Sequence, residues 1–594
     1  MLKLLKKLNA KEWLGVVCCI ILVGASVYLD LRIPDFTKDI TIKVQTGGNT
    51  VKDIWSVGLK MIACAALSFC VTLLSGLCTA FIAASFSRRL RKMLFEKVES
   101  FGMEEIGKFS TPSLITRSTN DVTQVAMIIA MGMHICIKAP IMAVSAILKI
   151  SAKNWQWTTA TAVAVVVMLT VLGVIMAVAT PRFKRVQSLI DNVNRDMREN
   201  LTGLKVVRAY NAEAFQENKF EQSNTELTEN YLKGIKAMAF LNPTINGVQN
   251  FLTLTIYWLG AALINSAGNV ATKIGLFGDM VTFSSYSMHV IISFMMLTMI
   301  FMMAPRGGAA AARILEVLDT TAKIVDGTKT AGATDQNGVP LVGEVEFDSV
   351  SFKYPDAEEY VLENVSFKAS KGQTVAFIGS TGSGKSTLIN LVPRFYDVTE
   401  GSVKVDGVDV REYTQKALHD KMGYVSQKAV LFSGTVRDNI AYGDNGKPKP
   451  ADDLIKQASQ IAMCSEFVEK MPDKYEEHIA QGGSNVSGGQ KQRLSIARAI
   501  ARQPEIYIFD DSFSALDFKT DKILRQNLKN STSGATCLIV AQRIGTIMDA
   551  DKIIVLDDGK AVGEGTHEQL LKTCEVYRQI ALSQLSEEEL KDVG

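Results

Sequence analysis

The chain has 594 residues, of which 47% are hydrophobic and 21% charged, and a formal net charge of only +3. That balance excludes a basic nucleic-acid binder and a disordered chain, and it predicts no nucleic-acid partner. The apolar residues crowd into the first half and the charges concentrate after about Glu344, which predicts a membrane half followed by a soluble half.

Residues 1–12 are rich in Lys and Leu and suit a membrane surface. Residues 13–29 form an apolar run of spanning length; no small-x-small cleavage site follows it and more spans come after, so it reads as a first membrane helix and not a signal peptide. Further spans are expected over residues 57–84, 125–150, 158–180, 240–264 and 274–303, making six. Six is an even number, so both termini lie on one side. With a nucleotide motif at Gly379, that side is the cytosolic face of a cell membrane. Arg88, Arg89, Arg91, Lys92 and Lys97 after the second span agree, and the short outer loops hold little beyond Lys153 and Lys273. Arg32, Lys38, Lys43 and Lys52 in the first outer loop run against the rule.

The inner connections, residues 85–123 and 181–239, are long and polar with helical character, as expected of helices that continue past the bilayer. Within them residues 110–121 and 200–212 are short, cap-bounded segments suited to touching another domain. Residues 309–319 form a strong helix leaving the sixth span, and the polar, Gly-containing stretch 320–340 reads as a linker. The organisation is therefore a six-helix membrane domain over 1–319, the linker, a soluble domain over 341–582 and an acidic tail over 583–594.

Within the soluble domain, residues 374–378 read as a buried strand and Ser386 to Leu391 as the start of a helix. Between them Gly379, Ser380, Thr381, Gly382, Ser383 and Gly384 precede Lys385, Ser386 and Thr387. Four free positions separate the first and last glycine, the spacing of a phosphate-binding loop. Glycines there let backbone N–H groups turn inward around an anion; Lys385 reaches the β- and γ-phosphates and the Ser386 hydroxyl helps hold Mg²⁺. Short β-branched runs alternate with helical segments, so the domain is α/β. The apolar strand 506–510 ends in Asp510, a position suited to a carboxylate beside Mg²⁺. Nine cysteines are scattered, with no CxxC pair, and read as reduced and space-filling.

The stretch Asn485-Val-Ser-Gly-Gly-Gln-Lys-Gln-Arg493 resembles the signature of ATP-binding cassette (ABC) proteins, through Ser487, Gly488, Gly489 and Gln490. With it, nearly the whole chain resembles the half-transporters of the exporter branch, which pair as dimers. The resemblance implies ATP and Mg²⁺ as ligands, Tyr354 stacking on adenine, Gln427 joining the metal site to the membrane domain, and Ser514-Ala-Leu-Asp517 signalling between two nucleotide sites. Ser386, Gln427 and Asp510 would serve the metal. By the same resemblance, residues 110–121 and 200–212 contain the helices that carry ATP-driven motion to the spans.

Two departures bear on catalysis. Where the family places a glutamate after the strand carboxylate, this chain has Asp511, and where it places a histidine, this chain has Gln542. Aspartate is one methylene shorter, and glutamine hydrogen-bonds a phosphate but never becomes cationic. A lesser departure is Gln481 before the signature. An intact signature beside an altered catalytic strand implies the degenerate-site subunit of a heterodimeric, bacterial multidrug-type exporter of amphipathic small molecules. Its partner chain would bring the missing glutamate and histidine. A homodimeric lipid or peptide exporter and a non-transporting ATP sensor are the rival expectations.

The sixth span carries Met280, Met288, Met295, Met296, Met299, Met302 and Met303 with Phe283, Phe294, Phe301 and His289. A soft cavity wall and ordinary helix packing both fit that composition. Lys138 and His289 are ionisable groups within spans and candidate functional residues.

Overall fold

The structure, a computed structural model, describes residues 2–46, 49–151, 155–335, 337–355, 357–532 and 534–584. Lys153, the side chains of Phe301 and Met302, and all but the first two residues of the expected acidic tail lie outside the described residues.

The chain divides into two compact units, one of residues 1–99 with Thr111–Thr320, the other of Ser100–Ser110 with residues 321–594. In the first unit, among the described residues, six helical stretches are long and apolar enough to cross a membrane: Ala10–Gln45, Val51–Glu99, Thr111–Ser151, Trp155–Thr202, Glu213–Ser266 and Val270–Ile300. The first five contain the runs read from the sequence, and the sixth run, 274–303, lies within the longer helix Val270–Asp319. The inner connections are helical: Trp155–Thr202 alone has 48 residues, ~72 Å at 1.5 Å per residue, about twice a bilayer core.

Two expectations are corrected. The first helix does not stop near Leu29 but continues through Pro34 to Gln45, so Arg32, Lys38 and Lys43 are helical and not loop residues. Lys38 pairs with Asp279 at 2.9 Å and Arg32 donates to the Tyr28 hydroxyl at 2.7 Å, which explains how these charges are carried there. The first inner segment to group with the soluble unit is Ser100–Ser110, upstream of the expected 110–121. Its helix Met103–Phe109 carries Glu105, which accepts from the backbone N–H groups of Gly102 at 2.9 Å and Lys323 at 3.0 Å. Residues from Thr111 onward instead open the third membrane helix, which contains π-helical turns at Arg117–Asp121 and Ile128–Gly132.

The second unit is built on a six-stranded sheet in the order Lys560–Gly565, Lys552–Asp557, Thr374–Gly379, Thr536–Val540, Ile506–Asp510, Met422–Val425. All neighbours are parallel except the Lys560–Gly565 edge. An antiparallel sheet of Leu362–Ala369, Val345–Phe352, Glu400–Val405 and Val408–Asp409 shares a core with it through Val350, Phe367, Phe377 and Leu388. The linker is tied down: Gly327 and Lys329 donate to the carbonyls of Tyr413 and Glu412, each at 2.9 Å, and a Cβ at Gly327 would run into the Glu412 backbone.

Candidate nucleotide site

Parallel pairing sets Val540 opposite both Phe377 and Asp510, so the strand ends at Gly379, Asp510 and Val540 open on one edge of the sheet. Ligands of α/β sheets gather at such carboxyl ends. The loop that leaves the first of these strands depends on glycine. A Cβ at Gly379 would collide with the Leu556 carbonyl, and Gly384, at φ 90°, would press one within 2.8 Å of the Val361 carbonyl. At Gly382 a Cβ meets nothing within 4 Å, so that glycine serves its backbone angle, φ 89°, and the bare face of the loop.

The side chains expected at the site are brought together, with one exception. Lys385 Nζ donates to the carbonyls of Gly379 and Ser380, at 3.0 and 2.6 Å, and to Ser383 Oγ at 3.2 Å. Burial holds the Lys385 ammonium below its ordinary pKa, opposed by Asp511 and Asp510. Ser386 Oγ donates to Asp510 Oδ1 at 2.7 Å across 124 positions of sequence. A hydroxyl and a carboxylate in contact at the mouth of a phosphate loop are the hard oxygen donors that Mg²⁺ takes, so the residues fit that ion. Burial raises the Asp510 carboxyl, opposed by the Ser386 hydrogen bond.

Asp511 sits in the left-handed region at φ 44°, where its backbone N–H donates to the Val540 carbonyl at 3.0 Å. Such strain in a non-glycine residue persists where surrounding structure over-determines it, often at functional sites. Its Oδ2 accepts from Gln542 Nε2 at 2.8 Å and from Gln427 Nε2 at 3.2 Å. Burial raises this carboxyl too, with Gln427 as the main opposing influence. Tyr354 places its hydroxyl 3.0 Å from Thr387 Oγ1 at the side of the loop helix.

The exception is the signature. Ser487 caps the helix Gly488–Ala501 with Gln490, each accepting from the other's backbone N–H, at 3.3 and 2.9 Å. Among the described residues no hydrogen bond joins Ser487 to Gln490 with the phosphate loop or with Asp511.

Three residues that the motifs did not single out complete the constellation. Tyr396 stands 5.3 Å from Tyr354 in an edge-to-face pair. Gln492 donates to the Ser426 carbonyl at 3.2 Å, and Ser512 donates to that of Val425 at 3.0 Å. The strand and loop that present Gln427 are thereby held from the signature helix on one side and from the catalytic strand on the other. Sequence offers only proximity as a signal for two of these: Gln492 lies two residues past Gln490 and Ser512 follows Asp511, whereas Tyr396 stands nine residues beyond Thr387.

Comparison with known proteins agrees with this architecture. The family model described as ABC transporter transmembrane region matches residues 14–295, and the one described as ABC transporter matches 362–514. The second span holds the phosphate loop, Gln427, the signature and Asp511, and leaves Tyr354 and Gln542 outside. An uncharacterized ABC transporter ATP-binding protein of Mycobacterium tuberculosis is 40% identical over 501 residues, 84% of each chain. The ATP-dependent lipid A-core flippase of Pseudomonas aeruginosa is 30% identical over 550 residues, 91% of this chain and 87% of that one. A solved bacterial Atm1-family ABC exporter with ATP bound superposes with a TM-score of 0.79 at 24% identity, covering 97% of this chain and 98% of that one, a likeness of fold. One membrane domain followed by one ATP-binding domain, matched along most of its length, makes this chain a member of the ABC transporter family, a half-transporter with the exporter fold.

Proposed function

We propose that this chain is one half of a heterodimeric exporter of amphipathic or hydrophobic small molecules, and that its own ATP site is degenerate. The observation that carries the reading is the double amide clamp on Asp511. A general base must aim a lone pair at a water in line with the γ-phosphate. Here the carboxylate is a methylene shorter than glutamate, and one of its oxygens is occupied by both Gln427 and Gln542. Gln542 in place of histidine adds a donor that stays neutral at every physiological pH. Mg²⁺, held by Ser386 and Asp510 with Gln427 alongside, would neutralise phosphate charge, while Lys385 and the loop amides bind and orient the nucleotide.

The intact signature then serves the site of a second, different half-transporter, which brings a glutamate and a histidine. Both termini face the cytoplasm on this reading, because the nucleotide domain needs cytosolic ATP. The 30% identity to a lipid flippase supports an amphiphile as cargo. Single-turnover hydrolysis by the purified chain tests the clamp: Asp511→Glu combined with Gln542→His should raise the rate on the order of 10²-fold. A wild-type rate already equal to that of the double variant would refute degeneracy.

A further inference from the structure

A groove lies between the first and third membrane helices, toward the end where the first hands over to the second. It is a cavity of about 220 Å³ lined by Gly24, Val27, Leu31, Ser145, Arg32 and Lys149, with Tyr28 at its edge. Its make-up is graded along the helices. The deeper wall is apolar or small, and the two cations sit at one end, Arg32 just past the apolar run and Lys149 two residues before its helix ends at Ser151.

We propose that this groove is a binding site for an anionic phospholipid, with the phosphate at Arg32 and Lys149 and an acyl chain along Gly24 and Leu31. Three observations carry it. Arg32 is already oriented: its Nε and Nη2 donate to the Tyr28 hydroxyl at 3.1 and 2.7 Å, and its guanidinium carbon lies 5.2 Å from the Tyr28 ring centre. A pre-positioned planar guanidinium is the group best suited to a phosphate. Lys149 approaches from the third helix, paired with Asp35 at 2.8 Å, so a second cation is held at the same end of the groove as Arg32. Finally, a Cβ at Gly24 would meet nothing within 4 Å. Packing between helices therefore does not require glycine there, and its absent side chain leaves the floor of the groove open on the same face as exposed Ile21 and Tyr28. An anionic headgroup at the level of interfacial cations, with its chain in an apolar notch, satisfies all three. A zwitterionic headgroup would bring its own cation toward Arg32 and Lys149. This site is separate from the nucleotide site and independent of what the protein exports.

The full chain in nanodiscs, offered photoactivatable phosphatidylglycerol or phosphatidylcholine and mapped by peptide mass spectrometry, provides the test. Phosphatidylglycerol should label residues 21–32 and 145–149 several-fold more than phosphatidylcholine. Gly24→Leu, which fills the groove, and Arg32→Gln should each bring that labelling down to the phosphatidylcholine level, while Lys52→Gln should not. Equal labelling by the two lipids, or retained preference in Arg32→Gln, would overturn the assignment; that charge variant decides should Gly24→Leu fail to fold.

Discussion

Asp510 and Asp511 are neighbours in sequence with opposite partners: the first accepts a hydroxyl that can be shared with a metal, the second accepts two neutral amides. Both carboxyls are raised by burial. A raised carboxyl protonates at higher pH than an ordinary aspartate, and the folded domain then binds protons that the unfolded chain does not. Nucleotide-free stability from these two residues therefore grows as pH falls through their folded values, and is least at neutral pH. Binding runs the other way. On the proposed reading the charged form of Asp510 would hold the metal, so Mg²⁺-dependent ATP affinity should weaken on acidification above the ordinary aspartate range. Titrating ATP affinity against pH with and without Mg²⁺ checks this; a Mg²⁺ contribution constant down to the ordinary range would contradict it. The phosphate loop and Ser386 were legible in sequence because spacing within a short motif points to their chemistry, and Asp510 because it ends an apolar strand. The amide clamp was not, since it needs Gln427, Asp511 and Gln542 to converge from three strand ends.

Among elements, the third membrane helix departs most from regular geometry, and both of its π-turns touch the sixth helix, the second of them also packing on the second helix. Asp121, in the first, is 2% exposed and receives Arg313 Nε at 2.7 Å and Nη2 at 2.5 Å, while Arg117 Nη1 reaches Glu316 at 2.8 Å. In the second, Ile128 packs so closely on Gly307 that a Cβ there would overlap its Cδ1. A π-turn inserts one residue and re-aims the side chains around it, which here lets one helix meet two sites of its neighbour. Since Asp121 is buried and the Arg313 side chain is 48% exposed, the two ends of the pair are unequal. Arg313→Ala leaves a buried carboxylate short of a donor and should cost roughly 1–3 kcal/mol, whereas Asp121→Asn keeps an acceptor and should cost less. Thermal unfolding in detergent checks the order; equal losses would contradict it. None of this pairing was readable from the chain. Hydropathy marked where each span lies but carries no sign of a π-turn, and charges near a span end read as loop. The same reason hid the true end of the first helix: Asp30, Asp35 and Lys38 continue it because Lys138, Lys149 and Asp279 answer them from other spans.

For the whole molecule, those three ion pairs all converge on the first helix, joining it to the third and the sixth. Charges within spans are retained where they are paired and carry function. Lys138 thus stands with Asp30 at 3.2 Å, and Ser68 donates to the same carboxylate at 2.5 Å. Of the sixth-span methionines, Met288, Met295 and Met299 are exposed while Met280 is buried, so the stripe divides between a face and the core. Of the two units, the one built on residues 321–594 also takes in Ser100–Ser110 from the earlier part of the chain. The central claim is that hydrolysis is supplied by a different chain. Its most direct test is steady-state ATPase of this chain alone, of the assembly retrieved through it from its native membrane, and of that assembly with the second half-transporter's glutamate replaced by glutamine. The account predicts near-zero turnover alone, turnover in the assembly, and its loss in the glutamine variant. Brisk turnover by this chain alone, abolished by Asp511→Asn, would contradict it.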